Sequence, residues 1–207
     1  MFASWLAYLS NNGGLEHFDT VLVMIDEVTW AFFDADLELH KIISSLPFQF
    51  NYYRIPQPLS QLEGSCQKYT CNPAVFSSFT TNLYIDLDYL VLRSLRPEYS
   101  SIEVKNTLLV QASGNIVKKG IFGFVVSSEI TRFFDILVKR YYRTGTHASE
   151  EEVFYQCVYK AFAEKNEVCL RIYFASENIF TLQELAELPQ EALALHIQEP
   201  SEETIEV

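Results

Sequence analysis

The chain has 207 residues, of which 49% are hydrophobic and 14% aromatic, so it can bury a sizeable core and is unlike a disordered chain. Its 15 basic and 27 acidic residues give a formal net charge of −12. This charge argues against a general nucleic-acid binder and against docking on an anionic membrane, because both need clustered lysine and arginine.

In chain order, the first half predicts a helix at 1–10, a strand at 20–26, helical residues at 27–46 with a break near Asp34, a strand at 48–55, a helix at 67–79 and a strand at 82–88. The second half predicts strands at 107–113 and 121–127, helices at 127–142 and 149–165, and a strand at 169–174. Ser149 is the predicted N-cap of the last helix. Strands that alternate with helices predict an α/β fold with a largely parallel sheet.

Targeting signals are weak in this sequence. No apolar run reaches the roughly 18 residues of a membrane span, and the start, "MFASWLAYLS", lacks the basic residues that open a signal peptide. The four cysteines have no metal-binding spacing and predict buried thiols in a reducing compartment. A cytoplasmic location is therefore the default expectation.

Two aspartates, Asp86 and Asp88, follow directly after the apolar residues of the strand at 82–88. Ligands of open α/β sheets bind beyond the carboxyl ends of the strands. Residues two apart in an extended segment point the same way, so we expect both carboxylates to face one point in a cleft. Carboxylate oxygen is the ligand that Mg²⁺ and Mn²⁺ prefer, so the pair predicts a divalent-cation site that bridges to a diphosphate. The other Asp-x-Asp of the chain, Asp34 and Asp36, is interpreted as a solvated helix edge or loop.

The segment "NLYIDLDYLVLRSL" (82–95) resembles the metal-binding segment of nucleotide-diphospho-sugar transferases with the GT-A fold. It is most similar to the group related to plant and algal sugar transferases and to glycogenin-like enzymes. A looser similarity extends over residues 1–198, which implies one α/β domain with a mostly parallel central sheet flanked by helices, followed by an acidic tail at 199–207. The resemblance implies metal-dependent transfer of a sugar from a nucleotide-diphospho-sugar, most simply a UDP-sugar, to a hydroxyl of a glycan or protein.

The resemblance also implies which residues hold the metal, Mn²⁺ or Mg²⁺. Asp86 and Asp88 would bind the ion and the diphosphate of the donor, with Asp88 as the more direct ligand. His196, in the C-terminal segment "ALALHIQ" (192–198), would be the third protein ligand.

Further site residues follow from the same resemblance. Lys68 would contact the nucleotide or its phosphates, and Lys119 and Gly120 would line the donor or acceptor side. Glu150 and Glu151 stand where the family has an Asp-Gln pair near the reacting sugar. If the reaction inverts the sugar configuration, one of these two glutamates would act as general base on the acceptor hydroxyl.

The chain departs from the family because it begins at the family's first helix and has no counterpart for the family's first strand. We keep two alternatives. Because of this missing strand, the first is a truncated or degenerate transferase domain that acts as a binding module without catalysis. The second is a phosphatase of the haloacid dehalogenase type, a class that also places Asp-x-Asp after an apolar strand but usually carries threonine where this chain has Leu90. An N-terminal anchor missing from this chain would place the protein in the Golgi lumen.

Overall fold

The computed structural model describes residues 2–18, 20–46, 50–58, 60–75, 81–95, 105–113, 116–144, 148–164, 171–175, 179–181 and 194–196. Its α-helices are α1 (Phe2–Asn12), α2 (Glu27–Ala35), α3 (Leu37–Ser44), α4 (Gln61–Val75), α5 (Ser128–Thr144) and α6 (Glu150–Glu164). Its strands are β1 (Val21–Asp26), β2 (Phe50–Ile55), β3 (Thr81–Ile85), β4 (Tyr89–Val91), β5 (Thr107–Ser113), β6 (Ile116–Val125), β7 (Arg171–Ala175), β8 (Ile179–Thr181) and β9 (Ala194–His196).

Each predicted helix and strand has a counterpart among the described residues, although several ends differ and the predicted ends at 76–79 and 169–170 lie outside them. Side-chain caps set some of the observed ends. The break in the helical residues 27–46 falls at Asp36, whose Oδ1 accepts from the Leu39 amide at 3.0 Å and begins α3. Asp34 is exposed on α2, so the interpretation of this second Asp-x-Asp is confirmed. Ser149 caps α6 as predicted, because its Oγ accepts from the Glu152 amide at 3.1 Å.

The described strands form three sheets, and the largest one differs from the prediction. The four-stranded sheet has the order β3-β6-β5-β7, and β6 is antiparallel to both β3 and β5. The prediction of mostly parallel strands is therefore wrong for this sheet. The physical reason is the short connection between β5 and β6, which permits a hairpin but not a crossover. Parallel pairing occurs between β1 and β2, β5 and β7, and β8 and β9.

Apolar clusters lie on both sides of β6, since successive side chains of a strand point to opposite faces. Phe122 joins the larger cluster, which packs the four-stranded sheet against α4, α5 and α6 around Phe134 and Phe154. Ile121 joins the second cluster, which packs α1 and β4 around residues such as Leu6 and Val91. The middle of β6 is thus fixed from both faces, and it forms a rigid support for residues at its start.

The predicted burial of the thiols is confirmed for Cys66 and Cys157, which are buried free thiols, while the reducing compartment stays a prediction. Burial, and then the charge of Glu150, raise the pKa of Cys66 to about 11. The side chains of Cys71 and Cys169 lie outside the described residues. No helix in the described part of the chain is both long and apolar enough to cross a membrane.

Gly120 lies where β6 passes beneath the ring of Tyr89. A Cβ added to Gly120 would lie 2.1 Å from Cε2 of that ring, which is buried in the second cluster. The carbonyl oxygen of Gly120 also accepts from the Asp86 amide at 2.7 Å. A side chain at this position would therefore push the Tyr89 ring away from β6 and disturb the segment that carries both aspartates.

Gly120→Ala should lower the free energy of unfolding by about 1–3 kcal/mol, the usual cost of overpacking a core. Gly64→Ala is the matched control, because its Cβ would meet the Pro58 ring at 3.5 Å, an ordinary contact. Alanine is also preferred to glycine in a helix by up to about 1 kcal/mol. Urea unfolding measures the free energy of unfolding of both variants and of wild type. Equal values for Gly120→Ala and wild type would show that the Tyr89 ring does not constrain this position.

Candidate functional site

The two aspartates lie in a turn at the carboxyl end of β3, before β4 begins. The Tyr89 amide donates to the Asp86 carbonyl oxygen at 3.1 Å, so residues 86–89 form a β-turn. The expectation of an extended segment is therefore wrong at this point, and the alternation of side chains does not decide how Asp86 and Asp88 are oriented. The first residue of the turn, Asp86, is anchored to β6 through its amide, which donates to the Gly120 carbonyl oxygen at 2.7 Å.

Asp86 is held at both carboxylate oxygens. The Tyr84 hydroxyl donates to Oδ1, and the Lys68 ammonium donates to Oδ2 at 3.2 Å. Burial raises the pKa of Asp86. The charge of Lys68 and the hydrogen bond from Tyr84 lower it, and the charge of Asp88 raises it. The net shift is upward. The two aspartates are therefore close enough to repel each other, and ionising Asp86 carries a cost that a nearby cation would relieve.

Glu150, the first residue of α6, is the centre of the charged network. Its Oε1 lies 2.8 Å from the Lys68 ammonium and accepts from the Tyr69 hydroxyl at 3.0 Å. Its Oε2 accepts from the Lys119 ammonium at 2.7 Å. Burial favours the neutral acid, but the charges and hydrogen bonds of the two lysines outweigh it, so the pKa of Glu150 is lowered. Burial lowers the pKa of Lys119, but the charge and hydrogen bond of Glu150 outweigh it and raise it overall.

The structure brings four predicted site residues into one connected network: Lys68 on α4, Asp86 after β3, Lys119 on β6 and Glu150 on α6. Asp88 lies beside it, half-buried in the same turn.

Three other predicted residues lie around this network. Glu151 is half-exposed, and its Oε1 is 3.9 Å from the Lys118 ammonium. Gly120 contributes its backbone and the space beneath Tyr89. The backbone of His196 is paired with that of Tyr89, the residue after Asp88, while its side chain lies outside the described residues.

Two tyrosines in the network were not predicted from the sequence. Tyr69 donates to Glu150 and Tyr84 donates to Asp86, and burial followed by these carboxylate charges raises the pKa of both phenols well above the usual range. Both residues therefore remain neutral donors. Tyr69 follows Lys68 directly, and Tyr84 precedes Asp86 by two positions. Their places in the sequence, beside predicted site residues, could have indicated both tyrosines, but aromatic residues in such segments are normally assigned to the apolar core.

The aspartate turn contains the two carboxylates that we predicted to hold a cation. Carboxylate oxygens are the ligands of hard divalent cations, and the repulsion between Asp86 and Asp88 favours a cation there. Among the described side chains, no group of three or more histidines, cysteines, aspartates or glutamates is placed to hold a metal ion. The two carboxylates have the donor chemistry that Mg²⁺ or Mn²⁺ prefers, and the metal site itself stays a prediction.

Known proteins resemble this chain in structure rather than in sequence. No protein-family model matches it, and no curated protein matches it by sequence. A glycosyltransferase involved in the glycosylation of the major capsid of PBCV-1 is 16% identical, with a TM-score of 0.53, over 88% of this chain and 93% of that one. The glycosyltransferase GlyE of Streptococcus pneumoniae TIGR4 is 12% identical, with a TM-score of 0.58, over 100% of this chain and 53% of that one.

This chain therefore spans about half the length of the GlyE chain. At such low identities the likeness shows the fold alone. The chain has a mixed α/β fold that is shared with solved glycosyltransferases.

Glu150→Gln should lower the free energy of unfolding by about 3–5 kcal/mol at neutral pH, because it leaves Lys68 and Lys119 without their shared carboxylate. The pKa of Glu150 is depressed in the folded state. Its stabilising effect is therefore present above the unfolded pKa of about 4 and is lost as the pH falls through the folded pKa.

Urea unfolding of wild type and Glu150→Gln at about pH 7 and about pH 3 measures this effect. The difference between the two proteins should shrink at the lower pH. Glu152→Gln, an exposed residue in the same helical turn, should stay within about 1 kcal/mol of wild type. A difference for Glu150→Gln that does not depend on pH would contradict the ion-pair explanation.

Proposed function

We propose that this protein is a metal-dependent glycosyltransferase of the GT-A type. It moves a sugar from a nucleotide-diphospho-sugar, most simply a UDP-sugar, to a hydroxyl of a glycan or protein. The observation that carries the proposal is the connected network of Lys68, Asp86, Lys119 and Glu150 beside Asp88 at the carboxyl end of β3. Ligands of α/β sheets bind at this end of a strand. The fold shared with solved glycosyltransferases supports the same function.

The charge of the site suits an anionic donor better than the charge of the whole chain does. A formal net charge of −12 repels a diphosphate, so binding needs local positive charge. Lys68 and Lys119 supply two ammonium groups, and a divalent ion at Asp86 and Asp88 would supply the rest. His196 is our proposed third ligand. When bound, the ion would act as a Lewis acid on the departing diphosphate.

Glu151 is a better candidate than Glu150 for a general base if the reaction inverts the sugar configuration. Glu150 is engaged by two ammonium groups and a phenol, and its lowered pKa makes it a weak base. Glu151 is half-exposed, and its one described ion pair is the 3.9 Å contact with Lys118. If the reaction retains the configuration, the site needs no protein base.

UDP or GDP with Mn²⁺ should raise the thermal stability of the protein. A ligand at 100 times its dissociation constant adds about 2.7 kcal/mol to the free energy of unfolding. Asp88→Ala should abolish this shift by removing the more direct metal ligand. Asp34→Ala is the matched control, because Asp34 is exposed and belongs to the other Asp-x-Asp of the chain. The shift should also disappear when the metal is chelated.

A wild-type protein that gives no shift with any nucleoside diphosphate would refute the proposal and favour a binding module without catalysis. If the shift occurs, a screen of sugar nucleotides for metal-dependent hydrolysis then identifies the donor. Release of phosphate from phosphate esters without any response to nucleotides would instead point to a phosphatase.

A further inference from the structure

We infer that Glu150 is a positioning residue that holds Lys68 and Lys119 as a pair, and that the Lys119 ammonium contacts the diphosphate of the donor. The inference rests on the proposed function. It gives the two lysines different roles and removes Glu150 from the acid–base chemistry.

The position of Glu150 is fixed before any ligand binds. It begins α6, and the next turn of that helix places Val153 and Phe154 in the larger apolar cluster, where both are fully buried. The side chain of Glu150 is itself only 9% exposed. Tyr69, buried in the same cluster, donates its hydroxyl to Oε1 at 3.0 Å. The carboxylate therefore cannot move without disturbing the core.

Each oxygen of this fixed carboxylate holds one lysine. The Lys68 ammonium lies 2.8 Å from Oε1, and the Lys119 ammonium lies 2.7 Å from Oε2. An ammonium on a flexible four-carbon chain is otherwise poorly localised. Glu150 thus holds two ammonium groups in place. The lysine side chains therefore lose less conformational entropy when an anion binds.

The two lysines differ in how much of each is accessible. The Lys68 side chain is 8% exposed, and its ammonium is bound by both Glu150 and Asp86. The Lys119 side chain is 33% exposed, and Glu150 is its one ion-pair partner among the described residues. An ammonium has three donors, so Lys119 retains donors for a ligand while Lys68 is largely committed to the protein.

Lys119 also interacts electrostatically with the aspartate turn. After burial, which lowers the pKa of Lys119, the charge of Glu150 raises it most, and the charges of Asp86 and Asp88 raise it further. Its ammonium is therefore close enough to the aspartate turn to interact with both carboxylates. A diphosphate that bridges to a cation at that turn would therefore be attracted by the charge of the Lys119 ammonium.

The neighbouring residue, Lys118, offers a matched control. It lies next to Lys119 on β6, but its ammonium faces Glu151 at 3.9 Å instead of Glu150. Both lysines can be changed to methionine, which keeps most of the side-chain length and removes the charge. Of these two changes, only Lys119→Met removes one of the two ammonium groups that Glu150 binds.

The test is calorimetric titration with UDP and with UMP in the presence of Mn²⁺, or with GDP and GMP if the protein prefers guanine. The measured quantity is the ratio of the two dissociation constants, which isolates the contribution of the second phosphate. Lys119→Met should reduce the preference for UDP over UMP by about 10-fold or more, since a hydrogen bond to a charged group contributes about 1.5–3 kcal/mol. Lys119→Arg, which keeps the charge, should restore most of it.

Lys118→Met should keep the wild-type ratio, and Glu150→Gln should reduce it because Lys119 loses its anchor. Retained UMP binding in each variant shows that the site is folded. A wild-type ratio in Lys119→Met, or an equal loss in Lys118→Met, would overturn the inference while leaving the proposed function intact. Failure of wild type to bind either nucleoside diphosphate would overturn both.

Discussion

The structure of the site depends on one buried carboxylate shared by two ammonium groups. Glu150 joins α6 to α4 through Lys68 and to β6 through Lys119, and Lys68 continues the network to Asp86. Removing charges from water costs several kcal/mol per ion, so such a network is tolerated only when nearly every polar atom has a partner. The hydroxyls of Tyr69 and Tyr84 meet this requirement at Glu150 and Asp86. The geometry of the aspartate turn is therefore coupled to three elements that lie far apart in the sequence.

The apolar packing explains why this network can be rigid. β6 has apolar clusters on both faces, and the first turns of α6 are buried against it, so the elements that carry Lys119 and Glu150 cannot slide past each other. The burial that accompanies this packing destabilises the ionised form of Asp86. Burial raises its pKa, which means that its ionised form at neutral pH lowers the stability of the fold. A carboxylate kept under such conditions is typical of a site that serves a ligand rather than the fold.

Local signals in the sequence located most of the helices and strands, and the resemblance indicated four residues that the structure brings into one network. Apolar periodicity located the helices and strands, Ser149 located the start of α6, and the resemblance indicated Lys68 and Asp86, which the structure brings within 3.2 Å. The failures concern long-range geometry. The direction of β6 follows from the hairpin between β5 and β6, and the aspartate turn is bonded through the Asp86 amide to Gly120, which is distant in the sequence. The sharing of Glu150 between two lysines could not be predicted, because it depends on how α4, α6 and β6 pack together.

The balance of charge in the site bears on how an acidic protein could bind an acidic ligand. Within the site, the carboxylates of Asp86, Asp88 and Glu150 outnumber the ammonium groups of Lys68 and Lys119 by one. Without a cation, the site is therefore slightly negative and resists a diphosphate. With a divalent ion it would be slightly positive and would attract one. Under the proposed function, Lys119 orients the diphosphate while the ion supplies the charge that attracts it, so metal and donor should bind cooperatively. Such coupling requires no conformational change, because the charges that produce it are already fixed by the core.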